Sequence, residues 1–262
     1  MQTVIDMSKL VIVAERAQVI KNVIEAVKEL VPEATLIVEP AGLRLKTLDT
    51  AHVAFVHLFI ASETFLSYKM VLSDKKQTSI KLGVSLTELD KILKCGNATD
   101  QLRFFYDDVR KPSVLQVSFA GGTTASFDMK LIDTDSEDVA IPNFDYKSQD
   151  LLPCTDYNKI CKNLTRFSGD VTITRVPAGF EFASNGTGTQ RASFSYAVST
   201  LFVEMYEETF SLKYLEQFSK ASSMSTHVSL SVAPDLPMLV RYLMDGTGSF
   251  IDYYLAAKSK DE

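Results

Sequence analysis

IDTDSEDVAIPNFDY, residues 132–146, opens with Asp133, Asp135, Glu137 and Asp138, four acids in six residues. The stretch has neither the two-residue alternation of a strand nor the 3.6-residue stripe of a helix, so it predicts an extended connector between two folded halves. Pro142 biases Ile141 towards extended backbone. Val139 and Ile141 then form a short apolar plug between solvated acidic ends, and such a plug needs an apolar surface to pack on.

Working outward, the flanking sequence is dense and strand-like. On the N-terminal side the alternation predicts strands at 10–13, 35–38, 43–48, 52–60, 65–70, 77–82, 102–106, 114–119 and 124–131. A helix is predicted over 19–31, buried through Ile20, Val23, Ile24, Val27 and Leu30 and ended by Pro32. A second follows Ser85, which with Glu88 makes a capping box; Leu86, Leu89, Ile92 and Leu93 form its buried side and Gly96 stops it. Beyond the connector the plan recurs, with strands at 146–152, 171–176, 180–183, 191–198, 200–206, 227–232, 238–244 and 248–255. Helices are predicted at 154–167 and 210–219.

The recurrence is textual as well. PAGLRL at 40–45 returns as PAGFEF at 177–182, and LTELDKILK at 86–94 returns as LKYLEQFSK at 212–220. Two matches at the same places in a helix-strand-strand plan predict two copies of one fold. The expected class is α+β: two repeated domains, each with two helices packed on antiparallel sheets. The boundaries are 1–131, a connector at 132–145, and 146–262.

A chain of 262 residues, 46% hydrophobic and 23% charged, has core enough for two domains. No apolar run approaches the roughly 20 residues needed to span a bilayer, and the N-terminus lacks a basic region followed by an apolar core, so an intracellular protein without a membrane partner is expected. Cys95, Cys154 and Cys161 are odd in number and lack metal-ligand spacing, which predicts buried reduced thiols. The Asn-x-Thr triplets at Asn97, Asn163 and Asn185 are read as chance.

The net charge of −6 argues against a general nucleic-acid coat. The cations are nevertheless concentrated on the helices, off their apolar faces: Lys21 and Lys28, Lys91 and Lys94, Lys159, Lys162 and Arg166, Lys213 and Lys220. With their acids counted, the four helices hold three net positive charges, leaving nine negative for the rest of the chain. Four such helices on a repeated frame point to one basic surface that reads a phosphate backbone rather than base sequence.

Chemistry is sparse by comparison. His52, His57 and His227 are too few and too separated for a metal site, and His52 and His57 are expected on opposite faces of one strand. No nucleophile motif or Walker sequence occurs, and Gly186-Thr187-Gly188 opens no helix, so it reads as a hairpin turn. No catalysis, metal or cofactor is expected, and any energy-consuming step must come from a partner.

With repeat, basic helices and connector in view, the chain resembles the proliferating cell nuclear antigen family of DNA sliding clamps over residues 10–258. The resemblance rests on LKTLDTAHVAFVHL (45–58), GVSLTELDKILKC (83–95), MKLIDTDSEDVAIP (129–142), LPMLVRYLM (236–244) and DYYLAAK (252–258). It implies a homotrimeric ring around duplex DNA, loaded by an ATP-dependent clamp loader and working in the nucleus, or at a viral replication site if the source is a virus. The nine helix cations named above would line the hole. It also implies a groove for peptides carried by polymerases, nucleases and ligases, at Leu48, His52, Phe55, Val139, Ile141, Pro237, Tyr254 and Ala256. The subunit edges would be Thr124, Phe127 and Met129 on one strand and Arg191, Ser193 and Phe194 on another. Ala257 stands where the family commonly has proline. Val176-Pro177-Ala178-Gly179 lacks the lysine that the family commonly modifies with ubiquitin. Two rivals remain: a processivity factor of the same fold acting as a monomer or hetero-oligomer, and a hydrolase using unidentified carboxylates.

Overall fold

Leu10, Ile12 and Ala14 are buried and alternate with half-buried Val11 and Val13, and that period of two makes β1 (Leu10–Ala14) a strand with one face in the core. The computed structural model describes residues 10–72, 77–134, 144–146, 148–186, 191–198, 206–244 and 246–259. After β1 come α1 (Ala17–Val27), β2 (Glu33–Glu39), β3 (Gly42–Leu48), β4 (Ala54–Ala61), β5 (Ser67–Met70) and β6 (Ile80–Ser85). Then follow α2 (Leu86–Cys95), β7 (Gln101–Tyr106), β8 (Val114–Ala120) and β9 (Thr124–Lys130). The later part holds β10 (Ser148–Pro153), α3 (Cys154–Leu164), β11 (Asp170–Val176), β12 (Gly179–Asn185), β13 (Arg191–Ala197) and β14 (Tyr206–Ser211). It closes with α4 (Leu212–Phe218), β15 (His227–Val232), β16 (Met238–Leu243) and β17 (Phe250–Leu255).

The described residues fall into two compact units. The first holds those up to 47, those from 57 to 134 and 246–249; the second holds 48–56, those from 144 to 244 and 250–259. Strand order repeats between them. In the first, β1-β7-β8-β9 lie side by side, with β5 added beyond β1, and β4-β3-β2-β6 form the other run. In the second, the corresponding runs are β10-β15-β16-β17 and β13-β12-β11-β14.

Individual hydrogen bonds repeat too. The amide of Leu86, first residue of α2, donates to Pro32 O at 2.8 Å, and that of Leu212, first residue of α4, donates to Gly169 O at 2.8 Å. Ala17 N, opening α1, donates to Asp100 O at 2.8 Å, as Cys154 N, opening α3, does to Thr226 O at 2.9 Å. The PAG triplets explain themselves in the same way. Each turns a two-residue hairpin, with Glu39 opposite Gly42 and Val176 opposite Gly179. A Cβ on Gly42 would sit 2.1 Å from Ile60 O, and one on Gly179 would sit 2.1 Å from Tyr196 O. Both copies need glycine because the backbone of the next strand passes where a side chain would go.

Several elements differ from the sequence reading. The first helix begins and ends earlier than 19–31: Leu30 and Val31 both direct their amides to Val27 O at 3.0 Å, tightening the chain into a turn before Pro32. His52 is in no strand; its φ of 58° places it in a turn, and β4 begins at Ala54. Phe210, expected in a helix, pairs with Val171 at the end of β14, because its full burial there outweighs helix propensity. Cys95 is exposed at the end of α2, whereas Cys154 and Cys161 are buried as expected. The strand expected at 200–206 and the turn at 186–188 fall largely outside the described residues, as do Val139 and Ile141.

The second unit contains a buried ion pair that no pattern announced. Arg175 on β11 is 0% exposed, and its Nε lies 2.9 Å from Asp150 Oδ2 on β10, with Nη2 3.2 Å from Oδ1. Arg175 stands two residues before Pro177, where the first copy places Val38 two before Pro40; both are fully buried. The pair ties one sheet of this unit to the other. The Arg175 guanidinium lies over the Phe180 ring at 5.1 Å, and elsewhere in the core of this unit Phe218 stacks on Tyr253 at 4.3 Å between centroids.

Candidate partner groove and nucleic-acid interface

Asp49 organises the turn that carries two of the expected groove residues, Leu48 and His52. Its Oδ1 accepts the amides of Val53 and Ala54, both at 2.8 Å, and its Oδ2 accepts that of Ala51 at 3.1 Å and the Tyr214 hydroxyl at 2.6 Å. Burial alone would raise the Asp49 pKa, but the Tyr214 hydroxyl and the three amides win and hold it below the ordinary carboxylate value. The positive φ of His52 is sustained by this cluster of hydrogen bonds. The turn leaves Leu48 38% and Val53 37% exposed, both large apolar side chains at the surface of the second unit.

Aromatic side chains continue the site. Phe55 packs on Tyr254 at 5.9 Å, Phe144 on Tyr254 at 5.8 Å, and Phe144 on Tyr146 at 5.9 Å. Tyr146 donates to Pro237 O at 2.8 Å, and Ala256 N donates to Val53 O at 3.1 Å. Beneath this cluster Arg241 grips Asp252 with two hydrogen bonds, at 2.6 and 2.7 Å. Desolvation keeps the Asp252 carboxyl above its ordinary value even so. Of the expected groove residues, the structure brings together Phe55 with Tyr254 directly, Leu48 and His52 on the Asp49 turn, Ala256 through Val53, and Pro237 through Tyr146. Sequence reasoning missed Asp49, Phe144, Tyr146 and Tyr214. The FDY triplet at 144–146 was the available signal, since two aromatics two apart on a connector ask for a covered face.

The helix cations divide into two sets. In the first unit Lys28 Nζ donates to Asp90 Oδ2 at 2.6 Å, Lys94 Nζ lies 2.8 Å from the same oxygen, and Lys91 pairs with Glu88 at 2.6 Å. Lys21 Nζ donates to Gly96 O at 2.7 Å. Partial burial would raise the Asp90 carboxyl, yet Lys28 and Lys94 hold it low. Lys28 is therefore a tie between α1 and α2 rather than an exposed cation. In the second unit Lys159 and Lys162 on α3, Arg166 just beyond it and Lys213 on α4 are exposed, and none has an ion pair among the described residues; Lys220 is half-buried.

The expected subunit strands are both sheet margins, since β9 has only β8 beside it and β13 only β12 among the described residues. Thr124, Arg191 and Ser193 are exposed. Phe127 and Phe194 are half-buried, and Phe127 meets Phe119 edge-on at 6.2 Å. Met129 is 5% exposed and belongs to the core of its own unit. No cluster of metal-ligating side chains occurs among the described residues, and no described helix is long and apolar enough to cross a membrane.

Comparison with known proteins accounts for the repeat. Residues 10–138 match the family model for the N-terminal domain of proliferating cell nuclear antigen, and residues 140–258 match that for its C-terminal domain. The protein of that name from Chaetomium thermophilum is 31% identical over 261 residues, covering 95% of this chain and 97% of the relative. The one from Caenorhabditis elegans is 31% identical over 259 residues, covering 94% and 95%.

Proposed function

The chain belongs to the proliferating cell nuclear antigen family, and from that premise we propose that it is a homotrimeric DNA sliding clamp of the nucleus. It catalyses nothing. It encircles duplex DNA after an ATP-dependent clamp loader opens it, and tethers polymerases, nucleases and ligases through their peptides. The observation that carries the reading is the doubled fold with equivalently placed sheet margins, β9 in the first copy and β13 in the second, each with a neighbour on one side only among the described residues. Pairing β9 of one chain with β13 of the next would remove both margins and close a ring, which a single sheet edge per chain could not do.

The exposed cations of α3 and α4 supply weak phosphate contacts that are equivalent at every base step. The energy along the duplex axis is then nearly flat, whereas escape requires opening the ring, so holding and sliding are compatible. Residues 132–145 serve as the connector between domains 1–131 and 146–262. Val139 and Ile141 complete the groove formed by Leu48, His52, Phe55, Pro237, Tyr254 and Ala256. The test is topological: clamp loaded onto nicked circular duplex should be retained, and linearising that DNA should release it. Equal retention on both would refute encirclement.

A further inference from the structure

We propose that Tyr214 on α4 is a positioning residue for the partner groove, acting through Asp49 to fix the turn that presents Leu48 and His52 to an apolar peptide. The inference rests on the groove reading above and adds a residue to it.

Asp49 is 4% exposed, and its carboxylate is the hub of the 49–54 turn. Its two oxygens have different duties. Oδ1 holds Val53 and Ala54, where β4 starts and where Val53 O receives Ala256 N at 3.1 Å. Oδ2 holds Ala51 at 3.1 Å and Tyr214 at 2.6 Å. The Tyr214 hydrogen bond is the shorter and comes from a neutral hydroxyl to an ionised acceptor, the stronger class. Removing it leaves Oδ2 with the Ala51 amide alone, on the side of the turn where Thr50, Ala51 and His52 lie. His52 sits at φ 58°, a conformation that a non-glycine residue leaves readily once its surroundings loosen. A looser turn must be ordered again when a peptide binds, and that ordering subtracts from affinity. The Tyr214 ring has a separate anchor, 6.3 Å from Phe218, so deleting only the hydroxyl leaves the helix packing in place.

The test uses full-length protein and a synthetic peptide with one aliphatic and two aromatic anchors, titrated by calorimetry. Tyr214→Phe should weaken binding about three- to tenfold, the scale of one missing hydrogen bond, with native mass unchanged and the melting temperature lowered by no more than a few degrees. Amide exchange should quicken at Ala51, which shares Oδ2, and stay unchanged in β15 and β16. Asp49→Asn should weaken binding at least as much, and the double variant should be no weaker than Asp49→Asn alone. Additive losses in the double variant, or wild-type affinity in Tyr214→Phe, would overturn the inference while leaving the groove standing. A wild-type protein that binds no such peptide would remove the groove reading and this inference with it.

Discussion

Lys28 Nζ lies 2.6 Å from Asp90 Oδ2 with the two side chains 16% and 14% exposed, so one of the nine helix cations serves to join α1 to α2. Replacing Lys28 by Ala should cost about 1–3 kcal/mol in urea unfolding, because Asp90 is deprived of a partner in a half-buried site. The pH dependence has a definite sign. The Asp90 carboxyl is held below its unfolded value of 3.8, so its contribution is complete above that value and is lost as pH falls through the lower folded one. The variant should therefore lose less stability than the wild type on acidification. Identical acid profiles would show that the pair is idle.

The cations of the two units should differ in their effect on DNA. Lys21, Lys91 and Lys94 each commit a hydrogen bond within the first unit, to Gly96 O, Glu88 and Asp90. Lys159, Lys162 and Lys213 have no such ion pair among the described residues. Changing the second set to Ala should lower polymerase stimulation on long primed templates more than changing the first, increasingly so as salt rises. For every phosphate no longer neutralised, the salt slope of DNA affinity should shrink by about 0.9. Equal losses from both triple variants would mean that the ion pairs open freely on DNA.

Groove affinity should reside in a few apolar side chains. A peptide with one aliphatic and two aromatic anchors should bind in the micromolar range, about 8 kcal/mol. Ile141→Ala and Phe144→Ala should each weaken it about tenfold, since truncated anchors at a groove centre dominate such interfaces. Calorimetry on the two variants checks this; unchanged affinity for both would reduce the connector to a tether.

The buried Arg175–Asp150 pair should be costly to break and cheap to replace. Asp150→Ala alone leaves a guanidinium stranded at 0% exposure and should cost about 3–5 kcal/mol. Replacing both by apolar residues, Arg175→Met with Asp150→Leu, should recover most of that in the same denaturant titration. Failure of the double variant to recover would show that the Arg175 hydrogen bond to Gly179 O, at 3.1 Å, matters more than the charge pair.

Legible in the sequence was whatever local chemistry imposes. The PAG hairpins are readable because both glycines answer a backbone clash, and the second helix because Ser85 caps it, its Oγ accepting the Glu88 amide at 3.3 Å; the Glu88 carboxylate, expected to complete a capping box, pairs with Lys91 instead. The pairings of Lys28 with Asp90, Asp49 with Tyr214 and Asp150 with Arg175 join residues far apart in the chain and leave no periodic trace. The helix cations look equivalent in sequence, although in the first unit Lys28 and Lys21 are committed to distant partners, Asp90 and Gly96 O, while Lys91 and Lys94 pair with acids three and four residues away on their own helix. A turn at Asp49-Thr50 is readable between the strands expected at 43–48 and 52–60, but its extent is not: the Asp49 carboxylate, accepting amides on both sides of His52, carries the turn on so that the next strand begins at Ala54. The groove positions come through family resemblance rather than pattern, and Phe144 and Tyr146 show what that route leaves out.

The central claim is a closed ring, and native mass tests it most directly. At micromolar concentration the protein should run at three times its chain mass of 29.1 kDa, and Phe127→Asp should collapse it to single chains by placing a charge on the β9 margin. A wild-type mass of one chain under those conditions would contradict the account.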